Sequence, residues 1–563
     1  MKNKIAALLL ALSTMGFAKE VNVKILGTSD VHGRVVPWSY ASDTEDKSGS
    51  YAQLSTLINQ RRKENKNVIL VEVGDSIQDN SIDLFALTLE EAKNHPIPKV
   101  LNYMKYDVFV PGNHEFNFGM PVLNEILNDI KAKKLAANLY YKDGKRYLQP
   151  TTIIQKDGVK IGIIGLTTPM SAKFEEDTGN LKDYKYVSII EETKKQVKNL
   201  KAKKVDAIVA VAHMGIENEN NIPETGLRDL ANAVPEIDAI VAGHMHQDVK
   251  SETINGVLIT EPHRYGTVLS EIDLKFDVND KTKKVKLLGK TATTTPVKNL
   301  EADKKVEEIY KPYHERLREI ANEKIGETEN DMVPQGKIHG VSISFAKDTG
   351  MSSFITDVEK YYSKADVVSF AYDYENVKLD KGDIKRKDIA YNYRYAGGDV
   401  SVYEMTGKQL KDYMEWAADY FDTIQKGDTN YRYNDVRGKS KYVTFDIFGG
   451  VSYKIDLRNQ KGNKIVDLKL ADGRKITPDM KLKVGMNSYR FDQLIKKGGI
   501  FEGQNIPLVW SSKDEMGQDK GRIQSMMIDY IKNVKGGKID GKSHDRWEII
   551  GSVSYTHLTL PTI

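Results

Sequence analysis

The chain has 563 residues, 40% hydrophobic and 29% charged, with no cysteine. That balance suits a folded chain of two to four domains of about 150 residues each and excludes a fibrous or wholly disordered one. Lys plus Arg number 83 against 79 Asp plus Glu, a formal charge of +4, too small to mark a polymeric nucleic-acid binder or a polybasic membrane anchor. The missing cysteines exclude disulfides, thiolate metal sites and cysteine nucleophiles.

Lys2 and Lys4 precede a short apolar run at 5–12, and Gly16-Phe17-Ala18 supplies small residues beyond it. This pattern predicts a signal peptide over residues 1–18, and hence a periplasmic or secreted bacterial protein. No later run is apolar for long enough to span a bilayer. At the other end, Ser and Thr become frequent from Gly551 in GSVSYTHLTLPTI. Residues 551–563 are expected to be a non-native tail outside the fold.

Between these ends the first half alternates apolar runs with helix-like stretches. The runs 21–26, 68–73, 108–110, 161–166, 207–212 and 237–241 are rich in Val and Ile and show little polar alternation. Such runs predict strands covered on both faces. The stretches 52–65, 120–131 and 188–203 predict helices between them, so residues 19–295 read as an α/β layered domain. Runs 256–260 and 267–276 predict its closing strands. Residues 296–324 carry many Lys and Glu, with Val306, Ile309, Leu317 and Ile320 at helical spacing around Pro312. They predict a linker helix, kinked or restarted at the proline, with a solvated charged face. A second domain follows over 325–550. It has predicted strands at 367–370, 442–447, 451–457 and 481–484, and helices at 353–362 and 408–421.

Five short segments carry the chemistry: Asp30-Val31-His32, Gly74-Asp75, Gly112-Asn113-His114-Glu115, His213 and Gly243-His244-Met245-His246. Each follows a predicted strand, and sites in α/β sheets form at the carboxyl ends of strands. Carboxylate, amide carbonyl and imidazole donors suit zinc, manganese, iron or cobalt. Two such ions can activate water and neutralise a phosphoryl group. Any one of these pieces is weak, but all five at strand ends point to a metal centre. Five of the eleven histidines fall in this set. The others, 95, 263, 314, 339, 544 and 557, are expected to be structural or exposed.

The segments LGTSDVHGR (26–34), VEVGDSIQ (71–78), PGNHEFNFG (111–119), AHMG (212–215) and AGHMH (242–246) resemble the calcineurin-like metallophosphoesterases. More narrowly, residues 20–550 resemble the exported 5′-nucleotidase and 2′,3′-cyclic-nucleotide 2′-phosphodiesterase family. That resemblance implies a four-layer α/β-β/α sandwich followed by a mixed α+β 5′-nucleotidase C-terminal domain. It implies two divalent cations per chain, one held by Asp30, His32, Asp75 and His246. The other would be held by Asp75, Asn113, His213 and His244, with Asp75 bridging. His114 would act on the phosphoryl or leaving group without ligating metal. The simple nucleotidases pair this histidine with an Asp three residues on. Asn117 stands there instead, as in the cyclic phosphodiesterase branch, and an amide raises the imidazole pKa less than a carboxylate would.

In the second domain, Gly397-Gly398, Gly449-Gly450 and Met486-Asn487-Ser488-Tyr489-Arg490 combine turn residues with aromatics that could stack on a base. FDIFGGVSYKIDL (445–457), MNSYR (486–490) and YEMTGKQLKDYMEWAADYF (403–421) resemble the nucleotide-binding loops and helix of the cyclic phosphodiesterase branch. The resemblance implies a base clamped between Tyr489 and Phe448, with Phe445 or Tyr442 as substitutes for Phe448. Asn487 and Arg490 would shape the pocket and Asp492 would contact the ribose.

The expected activity is a dimetal 2′,3′-cyclic-nucleotide 2′-phosphodiesterase with 3′-nucleotidase activity on small nucleotides, in a monomer. Two other readings stay open. One is a 5′-nucleotidase or UDP-sugar hydrolase, and the other a non-catalytic surface binding protein on the same scaffold.

Overall fold

The computed structural model describes residues 18–551 apart from 177, 280–281, 396–397, 426 and 439–442. All but the last residue of the expected leader and all but the first of the expected tail lie outside the described residues. So do Gly397, Tyr442 and His557. The chain divides by contacts into two compact units, Met1–Leu317 and Arg318–Ile563. Among the described residues no helix is long and apolar enough to cross a membrane.

The first unit rests on two six-stranded sheets. One runs in the order Val285–Pro296, Val268–Asn279, Ala18–Thr28, Val68–Glu72, Val108–Phe109, Lys133–Lys134. The other runs Asp248–Ile254, Val257–Pro262, Ala239–Ala242, Ala207–His213, Val159–Thr167, Thr151–Lys156. Ala18–Thr28, Val68–Glu72 and Val108–Phe109 are mutually parallel neighbours, as are Val159–Thr167, Ala207–His213 and Ala239–Ala242. Val68–Glu72 and Ala207–His213 are buried at every residue. Their unbroken apolar runs therefore mark strands covered on both faces.

Three hydrophobic cores define four layers. Val23, Ile25, Val71 and Val108 of the first sheet pack against Ile161, Ile163, Val209 and Val241 of the second. On its other face the first sheet meets helices Tyr51–Glu64, Pro96–Met104 and Met120–Asp129 through Leu26, Leu70 and Phe109. The second sheet meets Ile189–Ala202 and Leu227–Ala233 through Ile164, Ala210 and Ile240. The result is an α/β-β/α sandwich. The helices start where their sequence provides a cap. Ser50 accepts from the Gln53 amide, and Ser188 from that of Glu191, each cap worth about 1 kcal/mol.

The charged stretch after the last strand forms one helix, Lys304–Ala321, that runs through Pro312. It is not merely a solvated connector: Val306, Tyr310 and Leu317 are buried in the helix-side core of the first unit. Tyr310, one place on from the expected Ile309, is the ring that enters this core, while Ile309 packs partly buried beside it.

The second unit is mixed α+β. Its main sheet runs Ile447–Gly449, Val367–Phe370, Lys481–Met486, Ser401–Thr406, Leu508–Ser511, and combines parallel and antiparallel pairs. Helices Gly350–Ser363 and Gly407–Ala418 pack on it, each opened by a capping box. The strand expected at 442–447 begins only at Ile447. Before it, Thr444 and Asp446 serve as side-chain partners of Arg437 and Arg490. The segment is spent on these contacts rather than on a ladder.

Ile163 lies between the two sheets with no exposed surface. Ile163→Ala should cost about 2–5 kcal/mol through lost burial and a cavity, seen as a lower first unfolding transition. Ile153, 36% exposed on the outermost strand, provides the control. Its replacement by Ala should change stability by less than about 0.5 kcal/mol.

Candidate metal centre

The five segments converge at the carboxyl ends of five central strands. Asp30 and His32 follow Ala18–Thr28, Asp75 follows Val68–Glu72, and Asn113 and His114 follow Val108–Phe109. His213 closes Ala207–His213, while His244 and His246 follow Ala239–Ala242. Three segments come from one sheet and two from the other, so the site spans the sandwich edge.

The backbone there is unusual. Asp30, His32, Asp75, His244 and His246 all have positive φ, between 49° and 77°. This region is rare for residues with a Cβ, and strain of this kind collects at functional sites. The loops hold one another in it. Asp30 N donates to Gly74 O at 2.9 Å, His32 N to Asp75 O at 2.8 Å, and His244 N to Asp30 Oδ2 at 3.0 Å. Gly74, at φ +96°, passes so close to the next loop that a Cβ would lie 2.2 Å from Gly112 N. No side chain fits there.

Two groups of donors result: Asp30, His32 and His246, and Asp75, His213 and His244. In the first, His246 Nε2 lies 3.3 Å from Asp30 Oδ1 and 3.1 Å from His32 Nε2. In the second, His213 Nε2 lies 3.1 Å from Asp75 Oδ2. Asn113 joins this second group, with Oδ1 3.2 Å from His213 Nε2 and 2.8 Å from His244 Nδ1. Asp30, Asp75 and His213 are almost fully buried.

The distal nitrogens fix the tautomers. His213 Nδ1 faces Val73 O at 2.7 Å, and His32 Nδ1 faces Gln78 O at 3.3 Å. Both put the proton on Nδ1 and leave the Nε2 lone pair turned to the cluster. His244 is reversed: its Nε2 meets Glu219 Oε2 at 2.9 Å, which frees Nδ1. The inward atoms are thus acceptors facing acceptors, an arrangement that divalent cations satisfy. Charge says the same. Burial opposes an imidazolium at His213, but Asp75 and then Asp30 outweigh it and push its pKa up to about 10. Burial likewise opposes ionised Asp30 and Asp75, yet the imidazoles hold both well below the usual carboxylate range. Positive charge is in demand here, and a divalent cation supplies it more strongly than a proton.

His114 is half-buried beside the donors, its ring 5.4 Å from that of His32. Its backbone N–H donates to Asp75 Oδ1 at 2.8 Å, and its Nδ1 lies 2.7 Å from Asn117 Oδ1.

Three acidic residues with no role expected from the sequence complete the surroundings. Glu115 accepts from the amides of Asp75, Ser76 and Gly112, each at 2.7 Å, and so ties two of the loops together. Burial, then the neighbouring Asp75, push its pKa up to about 7 against these amides. Glu219 orients His244, and Glu175 meets Asn117. Glu115 stands inside one of the five motifs. Glu219 and Glu175 come from loops that only the folded chain brings near.

The residues expected to bind substrate all lie in the second unit. Tyr489 is 47% exposed at the start of helix Ser488–Ile495. Asn487 caps that helix through Tyr489 N, while its Nδ2 is buried without a hydrogen-bond partner. Asp492 is exposed on the same helix. Arg490 is buried and paired with Asp446 at 2.8 Å, so it anchors the helix. Phe448 departs from expectation. Its ring is 2% exposed and packs edge-on against Tyr413 and Tyr453, so it offers no open face to a base. Phe445 is buried as well, and Tyr442 lies outside the described residues.

Asp75→Asn should cut the zinc or manganese retained after dialysis from two ions per chain to one or fewer, by elemental analysis. Full retention would remove Asp75 from the donor set.

The chain matches two family models in order, the calcineurin-like phosphoesterases over residues 23–248 and the 5′-nucleotidase C-terminal domain over residues 324–496. The trifunctional nucleotide phosphoesterase protein YfkN of Bacillus subtilis is 28% identical over 96% of this chain, which spans 40% of that protein's length. The 2′,3′-cyclic-nucleotide 2′-phosphodiesterase/3′-nucleotidase of Salmonella typhimurium is 27% identical, covering 88% of this chain and 85% of its own. A Staphylococcus aureus protein solved as a candidate 5′-nucleotidase shares the fold. It has TM-score 0.73 at 20% identity over 94% of this chain and 99% of its own. The protein therefore belongs to the family of nucleotide phosphoesterases that join a calcineurin-like phosphoesterase domain to a 5′-nucleotidase C-terminal domain.

Proposed function

We propose that this protein hydrolyses phosphate esters of small nucleotides, opening 2′,3′-cyclic nucleotides to 3′-nucleotides and then releasing phosphate. The observation that carries the reading is His114 poised beside the two donor groups with an amide, Asn117, as its partner. The similarity to a cyclic phosphodiesterase along most of both chains supports it.

Asp30, His32, His246 and Asp75 would hold one divalent cation, and Asp75, Asn113, His213 and His244 the other. When bound, such a pair lowers the pKa of water and neutralises phosphoryl oxygens. The protein's own groups do the rest. The carbonyls of Val73 and Gln78 and the carboxylate of Glu219 keep the imidazoles in ligating tautomers. Glu115 holds the Asp75 and Gly112 loops in register. His114, with Nδ1 on Asn117, has Nε2 left to give a proton to the departing oxygen. In the first reaction, water adds to phosphorus and loses a proton to solvent, the P–O2′ bond breaks, and O2′ leaves with the proton from His114, which solvent then restores. The product is a 3′-phosphate, whose own ester bond can be cleaved in the same way.

Tyr489 would stack on the base, and Asn487, which caps its helix, would help shape the pocket. The leader pattern in residues 1–18 supports a reaction outside the cytoplasm.

The test is a product-resolved assay with manganese or zinc on 2′,3′-cyclic AMP, 3′-AMP, 5′-AMP and UDP-glucose at equal concentration. Fastest turnover of the cyclic ester, with 3′-AMP as first product, is expected. Preference for 5′-AMP or UDP-glucose would move the protein to the 5′-nucleotidase reading, and no turnover of any of them would favour a binding role. Tyr489→Ala should raise KM for nucleotides about 5- to 150-fold, the value of one stacked base. It should leave 4-nitrophenyl phosphate unaffected, and equal losses on both would remove the stacking role.

A further inference from the structure

The hydrogen bonds of Asn117 continue past His114. Its Nδ2 donates to Glu175 Oε1 at 2.5 Å. Glu175 is 2% exposed, and its other oxygen accepts from Thr178 Oγ1 at 2.6 Å and Asn180 Nδ2 at 2.8 Å. The Asn180 amide also reaches the carbonyls of Phe116 and Asn117, at 3.0 and 3.2 Å. Glu175, Thr178 and Asn180 are thus fastened to the turn that carries His114, though they are some sixty residues away in sequence.

We infer that Glu175 is a positioning residue for the hydrolysis, acting through Asn117 to fix the tautomer and aim of His114. This rests on the phosphoesterase reading above. An isolated Asn beside an imidazole is ambiguous, because its amide can present either the carbonyl or the NH2. Flipped, it would donate to His114 and put the wrong proton pattern on the ring. Glu175 removes the ambiguity. A carboxylate can only accept from Nδ2, so Oδ1 must face His114 and accept from Nδ1–H. Nε2 is then the nitrogen turned away from Asn117. The carboxylate also polarises the amide, and hydrogen bonds in a chain strengthen one another. Charge reaches the imidazole through the amide rather than by direct contact. The pair Asn117 and Glu175 therefore stands where a lone aspartate at 117 would otherwise serve.

The segment carries a second feature on the same side. Phe174, adjoining Glu175, is 41% exposed with its ring 6.2 Å from that of His244. One short stretch therefore reaches both the donor set and the proton donor.

The test is Glu175→Gln in the full chain, assayed on 2′,3′-cyclic AMP, phenyl phosphate and 4-nitrophenyl phosphate. The expected result is a kcat loss of about 10- to 100-fold on the first two esters, whose leaving oxygens need a proton. KM should stay within about threefold and metal content should not change. 4-Nitrophenyl phosphate should lose far less, since nitrophenolate departs unprotonated. Glu175→Gln combined with Asn117→Asp puts a carboxylate directly on His114, with the new amide at position 175 donating to it, and should recover at least about tenfold. Near-normal kcat in the single variant, equal losses on all esters, or a double variant no faster than the single would each overturn the inference. If the single variant does not fold, the double variant decides. Wild-type discrimination between phenyl and nitrophenyl esters supports the inference, and the discrimination of His114→Ala defeats it. The two aryl esters carry the test without a nucleotide. A protein that ignores cyclic AMP would refute the proposed substrate while leaving the role of Glu175 measurable.

Discussion

Two carboxylates with almost no solvent contact, Asp30 and Asp75, set the terms for the first unit. An ionised carboxylate withdrawn from water is costly unless paired and hydrogen-bonded. Here the surroundings come from strand ends across both sheets: backbone amides of His114 and His244 donate to the carboxylates, and His213 and His246 face them with nitrogens suited to sharing a cation. No single strand or helix could deliver this set. The two sheets have to stack face to face with their parallel strands ending at one edge, and the loops have to enter the left-handed region to turn their side chains inward. The interior core of Val and Ile holds those strand ends in register. The strain in the loops persists because neighbouring loops bond to one another across the edge.

Much of this was legible in the sequence because the relevant signals are local. Unbroken Val and Ile runs identify strands covered twice, and the residues that follow each run are where ligands must lie in an α/β sheet. Hence Asp30, His32, Asp75, Asn113, His213, His244 and His246 could be named before their geometry was known. The supporting acids were harder. Glu219 and Glu175 sit in polar loops with no periodicity, and their partners lie 25 and 58 residues away. A carboxylate that orients a histidine looks like any surface glutamate until the chain is folded.

The second unit shows the opposite failure. Aromatic residues are abundant there, and both core packing and base stacking use the same side chains. Tyr489 and Phe448 could not be separated by residue type or by the turns beside them. The fold separates them: Phe448 lies in a strand of the central sheet among other rings, whereas Tyr489 opens a helix just beyond a strand end. Arg490 presented a similar ambiguity. Its place in the loop suggests a residue that shapes the pocket, but its buried ion pair with Asp446 makes it the post on which that loop is mounted.

Asn117 joins these lines of argument. An amide between an imidazole and a carboxylate transmits both orientation and charge, but less charge than an aspartate in direct contact would. Two hydrogen bonds, not one, separate the carboxylate of Glu175 from His114, the group that would give its proton to the departing oxygen. A strained cyclic ester and an unstrained monoester make different demands on that proton, because ring strain already assists cleavage of the first. A histidine held in one aim by Asn117 and Glu175 is placed to meet both demands in succession. The carboxylate standing two hydrogen bonds from the ring, rather than one, is the structural variable that fixes this aim.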